Sequence, residues 1–232
     1  KVRFRDNLDG LHDQKVYVVD PFNDIKDPDI KKECFNPLSV IDVNSKTVTE
    51  DIDYLSDAII LPEVSSKHGD HFRVNAKAVV SGVIGHLLTK DPDATLIDVR
   101  RILTLSPEKK DKFFGEMQKN DGAGGLPKSA TTVLSSVGSN ELGSFMSTIL
   151  KNTNWIDSES IQDVLAKSTF KLSDLKDGKT TIYIVIPPDM LVEHKRFMRL
   201  FVNLSIRELV KGKRAEKPVL FLLDEFFSLG PL

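Results

Sequence analysis

Asp224 and Glu225 are the residues whose types and setting best suit them to chemistry. They follow five unbroken apolar residues, VLFLL at 219–223, which a basic polar run at 211–217 precedes. Such an apolar run predicts a strand buried on both faces, as in a parallel sheet covered by helices. Carboxylates at the carboxyl end of a strand of this kind sit where open α/β sheets bind ligands. The arrangement has the form of a Walker B segment. Asp224 would hold Mg²⁺, directly or through water, and Glu225 would orient or deprotonate the attacking water. A strand followed by an acidic turn accounts for the same residues without chemistry, and the motif is too short to decide alone.

Composition narrows the setting. The chain has 232 residues, 40% hydrophobic and 28% charged, as expected of an ordinary globular protein of one large or two modest domains. A formal net charge of −2 argues against nucleic-acid binding by bulk charge. Cys34 is the only cysteine, which excludes an internal disulfide and a cysteine metal site. Its expected role is that of a half-buried small apolar residue. No apolar run in these residues reaches the length of a membrane span, and none of them is expected to form a signal peptide. The start at Lys1 and the stop just past an apolar run predict a piece of something longer.

The elements that must position the two carboxylates follow from periodicity. Residues 1–14 read as a partial helix, and 15–20 as a first strand stopped by Pro21. Asp20 at its end fits either a ligand at the carboxyl edge of the sheet or a turn before proline. A charged loop follows, and Phe35-Asn36-Pro37-Leu38 reads as an anchor tying that loop to a core. Beyond it the period becomes helical: 51–61, then 72–88 with a broad apolar stripe in which Gly82 and Gly85 permit close approach. His86, lying among apolar residues, is expected to be hydrogen-bonded or at the surface. Thr95 to Asp98 forms a capping box in which Asp replaces the usual Glu. Ser106-Pro107-Glu108 opens another helix. Residues 130–150 are helical with a possible break at 138–140, Trp155 is an anchor, and 158–167 is a short helix. The strand period returns at 180–186. A long helix at 193–211 then leads into the terminal run, so that strand, helix and strand form a βαβ unit with a parallel pair. The order predicts an α/β fold interrupted by a helical block. Residues 1–50 and 171–232 belong to the sheet, and 51–170 form an all-helical domain.

A Walker B strand needs a Walker A loop, G-x-x-x-x-G-K-[ST], between a strand and a helix. GAGGLPKS at 122–129 has the spacing, but Pro127 stands where the second glycine should be and brings no N–H to a phosphate. A helix–helix linker is the expected role. Gly178-Lys179-Thr180 enters a strand instead of leaving one and is set aside. The partner loop is expected upstream of Lys1, so these residues alone are expected to bind ATP weakly and hydrolyse little or none.

Taken in order, five landmarks resemble the type IV coupling proteins, the TraG/TraD family of secretion and conjugation ATPases. They are VYVVDPF at 16–22, FNPL at 35–38, the helix at 72–88, DLKDGK at 174–179 running into TIYIVIPPD at 181–189, and PVLFLLDEFFSLG at 218–230. The resemblance implies a RecA-like nucleotide-binding domain, here a partial parallel sheet, with an inserted all-helical domain. It implies ATP and Mg²⁺ as cofactors and a homo-hexameric motor at the cytoplasmic face of the bacterial inner membrane. Its cargo would be a DNA–relaxase complex or effector proteins, its partners other secretion components, and its helical domain a cargo-recognition module. Asp224 and Glu225 carry over as Walker B, and no residue carries over as the phosphate-binding lysine. Two alternatives stay open. One is a cargo- or DNA-binding module without ATPase activity, for which the acidic stretch at 51–57 disfavours bare DNA. The other is an FtsK/HerA-like motor, which the size of the helical block disfavours.

Overall fold

The computed structural model describes residues 14–61, 69–215 and 217–224. These fall into two compact units. Unit 1 takes its described residues from within Lys1–Asn36 and Glu159–Leu232, and unit 2 is Pro37–Ser158.

Unit 1 is built on two parallel strands. β1 (Lys15–Val19) pairs with β2 (Thr180–Ile184) in register from Lys15 opposite Thr180 to Val19 opposite Ile184. The Val185 N–H donates to the Val19 carbonyl at 2.9 Å and continues the ladder. A single bridge from Val18 to Lys32 touches the other edge of β1, where the Glu33 N–H donates to the Val18 carbonyl at 2.7 Å. Helix α7 (Glu159–Leu165), a 3₁₀ turn (Leu172–Asp177) and the long α8 (Pro188–Val210) complete the unit. The apolar positions of α8 recur at helical spacing, so Phe197, Leu200, Phe201 and Leu204 are all buried. They meet aromatic residues from both segments: Phe35 lies 5.0 Å from Phe201 and 5.6 Å from Phe170 between ring centroids. Tyr17 stacks on Phe170 at 4.7 Å, and its hydroxyl donates to Asp174 at 2.9 Å. Burial and that carboxylate push the Tyr17 phenol up to about 12.

Unit 2 is helical: α1 (Val48–Ile59), α2 (Gly69–Lys90), α3 (Leu96–Leu103), α4 (Pro107–Met117), α5 (Leu126–Ser136) and α6 (Ser139–Thr153). α2 is the hub and touches each of the other five. Residues 79–86 are buried without interruption, as expected of a helix surrounded on all sides. The capping box of α3 is complete, with the Asp98 N–H donating to Thr95 Oγ1 and the Thr95 N–H to Asp98. Ser106 stands before α4 but makes no side-chain cap hydrogen bond, and Pro107 begins that helix. The possible break at 138–140 is real, because Val137 and Gly138 are extended and separate α5 from α6. Arg100 fastens α3 to the end of α6 by donating to the Leu150 carbonyl, Thr153 and Asp157. Trp155 is buried as an anchor, its indole N–H donating to the Asn152 carbonyl at 3.0 Å. His86 is buried and bonded, Nδ1 to Asn120 Nδ2 at 2.9 Å, with its ring edge-on to Phe113.

Two readings change. The acids of α1 are not a bare patch, since Asp57 pairs with Arg73 and Lys77 at 2.7 Å each. Phe35 and Leu38 do not anchor one core: Phe35 is buried in unit 1 and Leu38 in unit 2. The expected helix at 1–14 lies almost wholly outside the described residues.

Close approach of α5 to α2 depends on missing side chains. A Cβ on Gly82 would stand 2.2 Å from the Ala130 Cβ and 3.1 Å from the Leu126 carbonyl. Alanine at this position gains about 1 kcal/mol of helix propensity, but overpacking costs about 1–3 kcal/mol and must move backbone here. Gly82→Ala is therefore expected to lose stability. Gly143→Ala on α6, where a Cβ meets nothing within 4 Å, is expected to gain up to about 1 kcal/mol. Urea unfolding checks both, and a Gly82→Ala variant as stable as Gly143→Ala would contradict the packing.

Candidate functional site

The chemistry proposed from sequence centres on the terminal run. Residues 219–223 are not assigned as a strand, and they are not buried on both faces. Exposure alternates: Leu220 and Leu222 are 78% and 85% exposed, while Val219, Phe221 and Leu223 are half-buried. That is the period of an extended segment covered on one face only. A strand needs a hydrogen-bonded neighbour, and β2 gives one edge to β1. Along with β2 and α8, residues 217–223 line a cavity of about 670 Å³ that Thr181, Tyr183, Phe201 and Val202 also border. The expected parallel pairing of a βαβ unit is found between β1 and β2 instead. Asp224 lies in an exposed turn at the end of this segment, and Glu225 lies outside the described residues.

Asp20, the other carboxylate at a strand end, is a turn residue. Its side chain is fully buried and accepts from the Asp24 and Ile25 N–H groups at 2.9 Å each. Lys32 Nζ pairs with it at 2.9 Å. Burial pushes its carboxyl upward, but the Asp24 N–H, the Lys32 ammonium and the Ile25 N–H outweigh that and hold it below the usual range. With its acceptor sites engaged, Asp20 fixes the turn that carries Phe22.

Next to that turn is a residue that the sequence reading passed over. His194 is buried, its ring 4.8 Å from that of Phe22, and Nδ1 has no hydrogen-bond partner among the described residues. Burial pushes its imidazole pKa down. The helical period could have found it, since 194, 197 and 201 fall on one stripe of α8.

The glycine run at 122–129 is a packing junction. Ala123, Gly124 and Gly125 have φ of 47°, 65° and 80°, and α5 follows directly. A Cβ on Gly124 would lie 2.3 Å from Thr49 Oγ1, and one on Gly85 would lie 3.1 Å from the Ala123 Cβ. The run faces α1 and α2, as a linker does. Gly178 at φ 71° likewise ends the 3₁₀ turn before β2.

The described residues define a mostly helical protein with a small two-stranded parallel sheet, and Asp224 stands in an exposed turn after it. Comparison with known proteins specifies the class. The family model described as Type IV secretory system Conjugative DNA transfer matches residues 11–232, and the chain belongs to that family. The conjugal transfer protein TraG of Rhizobium radiobacter is 26% identical over 222 residues, covering 90% of this chain and 33% of TraG. The type IV secretion system-coupling protein VirD4 of Bartonella henselae is 21% identical over 229 residues, covering 95% and 35%. This chain thus spans about one third of the length of the curated relatives it matches. Among solved structures, the plasmid coupling protein TrwB in complex with the ATP analogue ADPNP superposes with a TM-score of 0.65 at 10% identity, over 92% of this chain and 46% of TrwB. TrwB in complex with ADP and Mg²⁺ gives 0.57 at 11% identity, over 90% and 48%. The fold is TrwB-like: mostly helical, with a small two-stranded parallel sheet. No described helix is long and apolar enough to cross a membrane.

Removing the Asp20 carboxylate strips a lysine and two N–H groups of their acceptor. Asp20→Ala is expected to cost about 2–4 kcal/mol. Because the folded pKa is lowered, this contribution is present above the ordinary carboxylate value of about 3.9 and is lost as pH falls through the lowered folded value. Urea unfolding from neutral pH to below pH 4 should show the wild-type advantage shrinking. A pH-independent difference would rule out the charged turn.

Proposed function

We propose that this chain is part of an ATP-driven coupling protein that recruits and moves DNA or protein substrates through a type IV secretion or conjugation system. One observation carries the reading most directly: in a chain of this family, an apolar run that lines the same cavity as β2 is followed in the sequence by Asp224-Glu225. In the whole protein, residues 219–223 become the next strand of a RecA-like sheet, which covers Leu220 and Leu222. The unit Pro37–Ser158 is the inserted helical domain and recognises cargo. The loop that grips the phosphates lies outside these residues. The whole protein works as a homo-hexamer at the cytoplasmic face of the bacterial inner membrane, with other secretion components as partners.

The donor set fits Mg²⁺. Among the described residues there is no group of three or more His, Cys, Asp or Glu that could enclose a metal. Mg²⁺ needs no such cage, because it binds through one or two carboxylates and otherwise keeps water and substrate phosphate oxygens. Asp224, exposed at the end of its segment, is the residue that would hold it. When bound, the ion neutralises charge on the phosphate oxygens. Glu225 holds the attacking water in line and accepts its proton.

In the full-length protein, Glu225→Gln is expected to lower ATP hydrolysis by about 10²- to 10⁴-fold while nucleotide binding persists. Asp224→Ala should raise the Mg²⁺ concentration needed for half-maximal activity. Steady-state phosphate release with a nucleotide-binding assay reads both. Hydrolysis unchanged in Glu225→Gln would remove Glu225 from the mechanism.

A further inference from the structure

We infer that His86 is a proton-sensitive latch that holds the α4–α5 junction onto α2 and releases it on acidification. The ring is 2% exposed and sits edge-on to Phe113 of α4, with centroids 5.0 Å apart. Its Nδ1 meets the Asn120 amide nitrogen at 2.9 Å. The direction of that bond follows from the neighbours. The Gly122 N–H donates to Asn120 Oδ1 at 2.9 Å, which turns Nδ2 toward His86. The Thr89 hydroxyl donates to the His86 carbonyl at 2.7 Å, so its oxygen accepts from Asn120 Nδ2, also at 2.7 Å. An amide nitrogen donates and cannot accept, so Nδ1 must present a lone pair. The network therefore admits only the neutral imidazole that carries its hydrogen on Nε2.

A proton on Nδ1 sets two donors face to face. Turning the Asn120 amide over does not relieve them. It leaves the Gly122 N–H facing a second donor and draws the Thr89 hydroxyl away from the His86 carbonyl. The junction has to move instead. It is closely seated on α2, because a Cβ on Gly122 would stand 2.7 Å from Thr89 Cγ2. Residues 123–125, all at positive φ, lead from it into α5. α4 has little else to hold it, since Met117 is its one fully buried residue. Two charged groups face the ring. Burial and the Lys90 ammonium push its pKa below the ordinary 6.5, and Glu116 of α4 offsets part of that. Charged groups on the other helices around α2 are engaged elsewhere. Asp53 and Asp57 of α1 pair with Lys77, Asp98 of α3 with Arg101, Arg100 with Asp157, and Lys128 of α5 with Asp121, while Glu141 of α6 accepts from Asn75. The latch thus contributes fully above about pH 6.5 and is lost as pH falls from there through the lowered folded value. The inference concerns unit 2 alone and holds whatever that unit recognises.

Nuclear magnetic resonance of the 232-residue chain tests it. At about pH 7.5 the His86 ring nitrogens should report a hydrogen on Nε2 and none on Nδ1, and the ring should take up its proton below about pH 6.5. Exchange protection of the Gly122 and Gly125 amides, corrected for the intrinsic pH dependence of exchange, should fall at least about tenfold between about pH 7.5 and about pH 5. Val83, in the buried middle of α2, should keep its protection. His86→Asn puts an amide oxygen near the place of Nδ1 and does not titrate, so its junction should stay protected at both pH values. Asn120→Ala should leave the junction weakly protected at both. A hydrogen on Nδ1 at about pH 7.5 overturns the inference. So does a ring still neutral at about pH 5, or junction protection that stays constant while the ring titrates. These readings need only the wild-type chain. Wild-type pH dependence that persists in His86→Asn overturns it as well.

Discussion

The parallel pairing of Lys15–Val19 with Thr180–Ile184 is the constraint on which unit 1 depends. Parallel strands cannot be joined by a tight turn and need a crossover. Here the crossover includes a whole second unit, Pro37–Ser158. Closing so long a connection costs only slowly more entropy with length, so a folded insertion is tolerated if the ends are fixed. Unit 1 fixes them locally. The Phe35 N–H donates to the Val164 carbonyl at 2.8 Å, and Cys34 and Thr169 exchange backbone and hydroxyl bonds. The two segments are therefore bonded to each other on both sides of the point where the chain leaves for unit 2.

Unit 2 uses a different device. α2 is buried along its middle, so its neighbours must come close, and small residues at Gly82, Gly85, Ala123 and Ala130 let them. The glycine run that imitates a phosphate loop serves the same end. Its positive φ angles turn the chain sharply into α5, and its bare Cα atoms fit against Thr49 and α2. Glycine spacing alone does not separate a phosphate cradle from a helix junction. Pro127 does, because it removes an N–H that the cradle would need.

Most of this fold was legible in the sequence where a local rule sufficed. Proline and glycine marked the ends of β1 and α8, and the period of 3.6 found α2 and the core stripe of α8. The Thr95–Asp98 box read correctly because capping is settled within four residues. What failed depended on distant partners. An apolar run at 219–223 says that those side chains suit burial, but not what covers them, and here one face stays open. FNPL at 35–38 shows two apolar residues, but not that they enter different cores. Of the candidate site, Asp224 was expected at the end of a strand buried on both faces, and it instead follows a segment with no strand assignment and one exposed face. Glu225 was legible only as a neighbour of Asp224. His194 was missed because a polar residue on an apolar stripe looks like an interruption of the pattern.

The central claim is that these residues hold one half of a nucleotide site and one unfinished edge of a sheet. Amide hydrogen exchange of Leu220–Leu223 measures that edge directly. In the 232-residue chain these amides should exchange rapidly, because no ladder among the described residues protects them. In the full-length protein they should slow by orders of magnitude as the next strand forms. Equally fast exchange in both would contradict the account, and would leave Asp224-Glu225 as an acidic turn after an exposed segment.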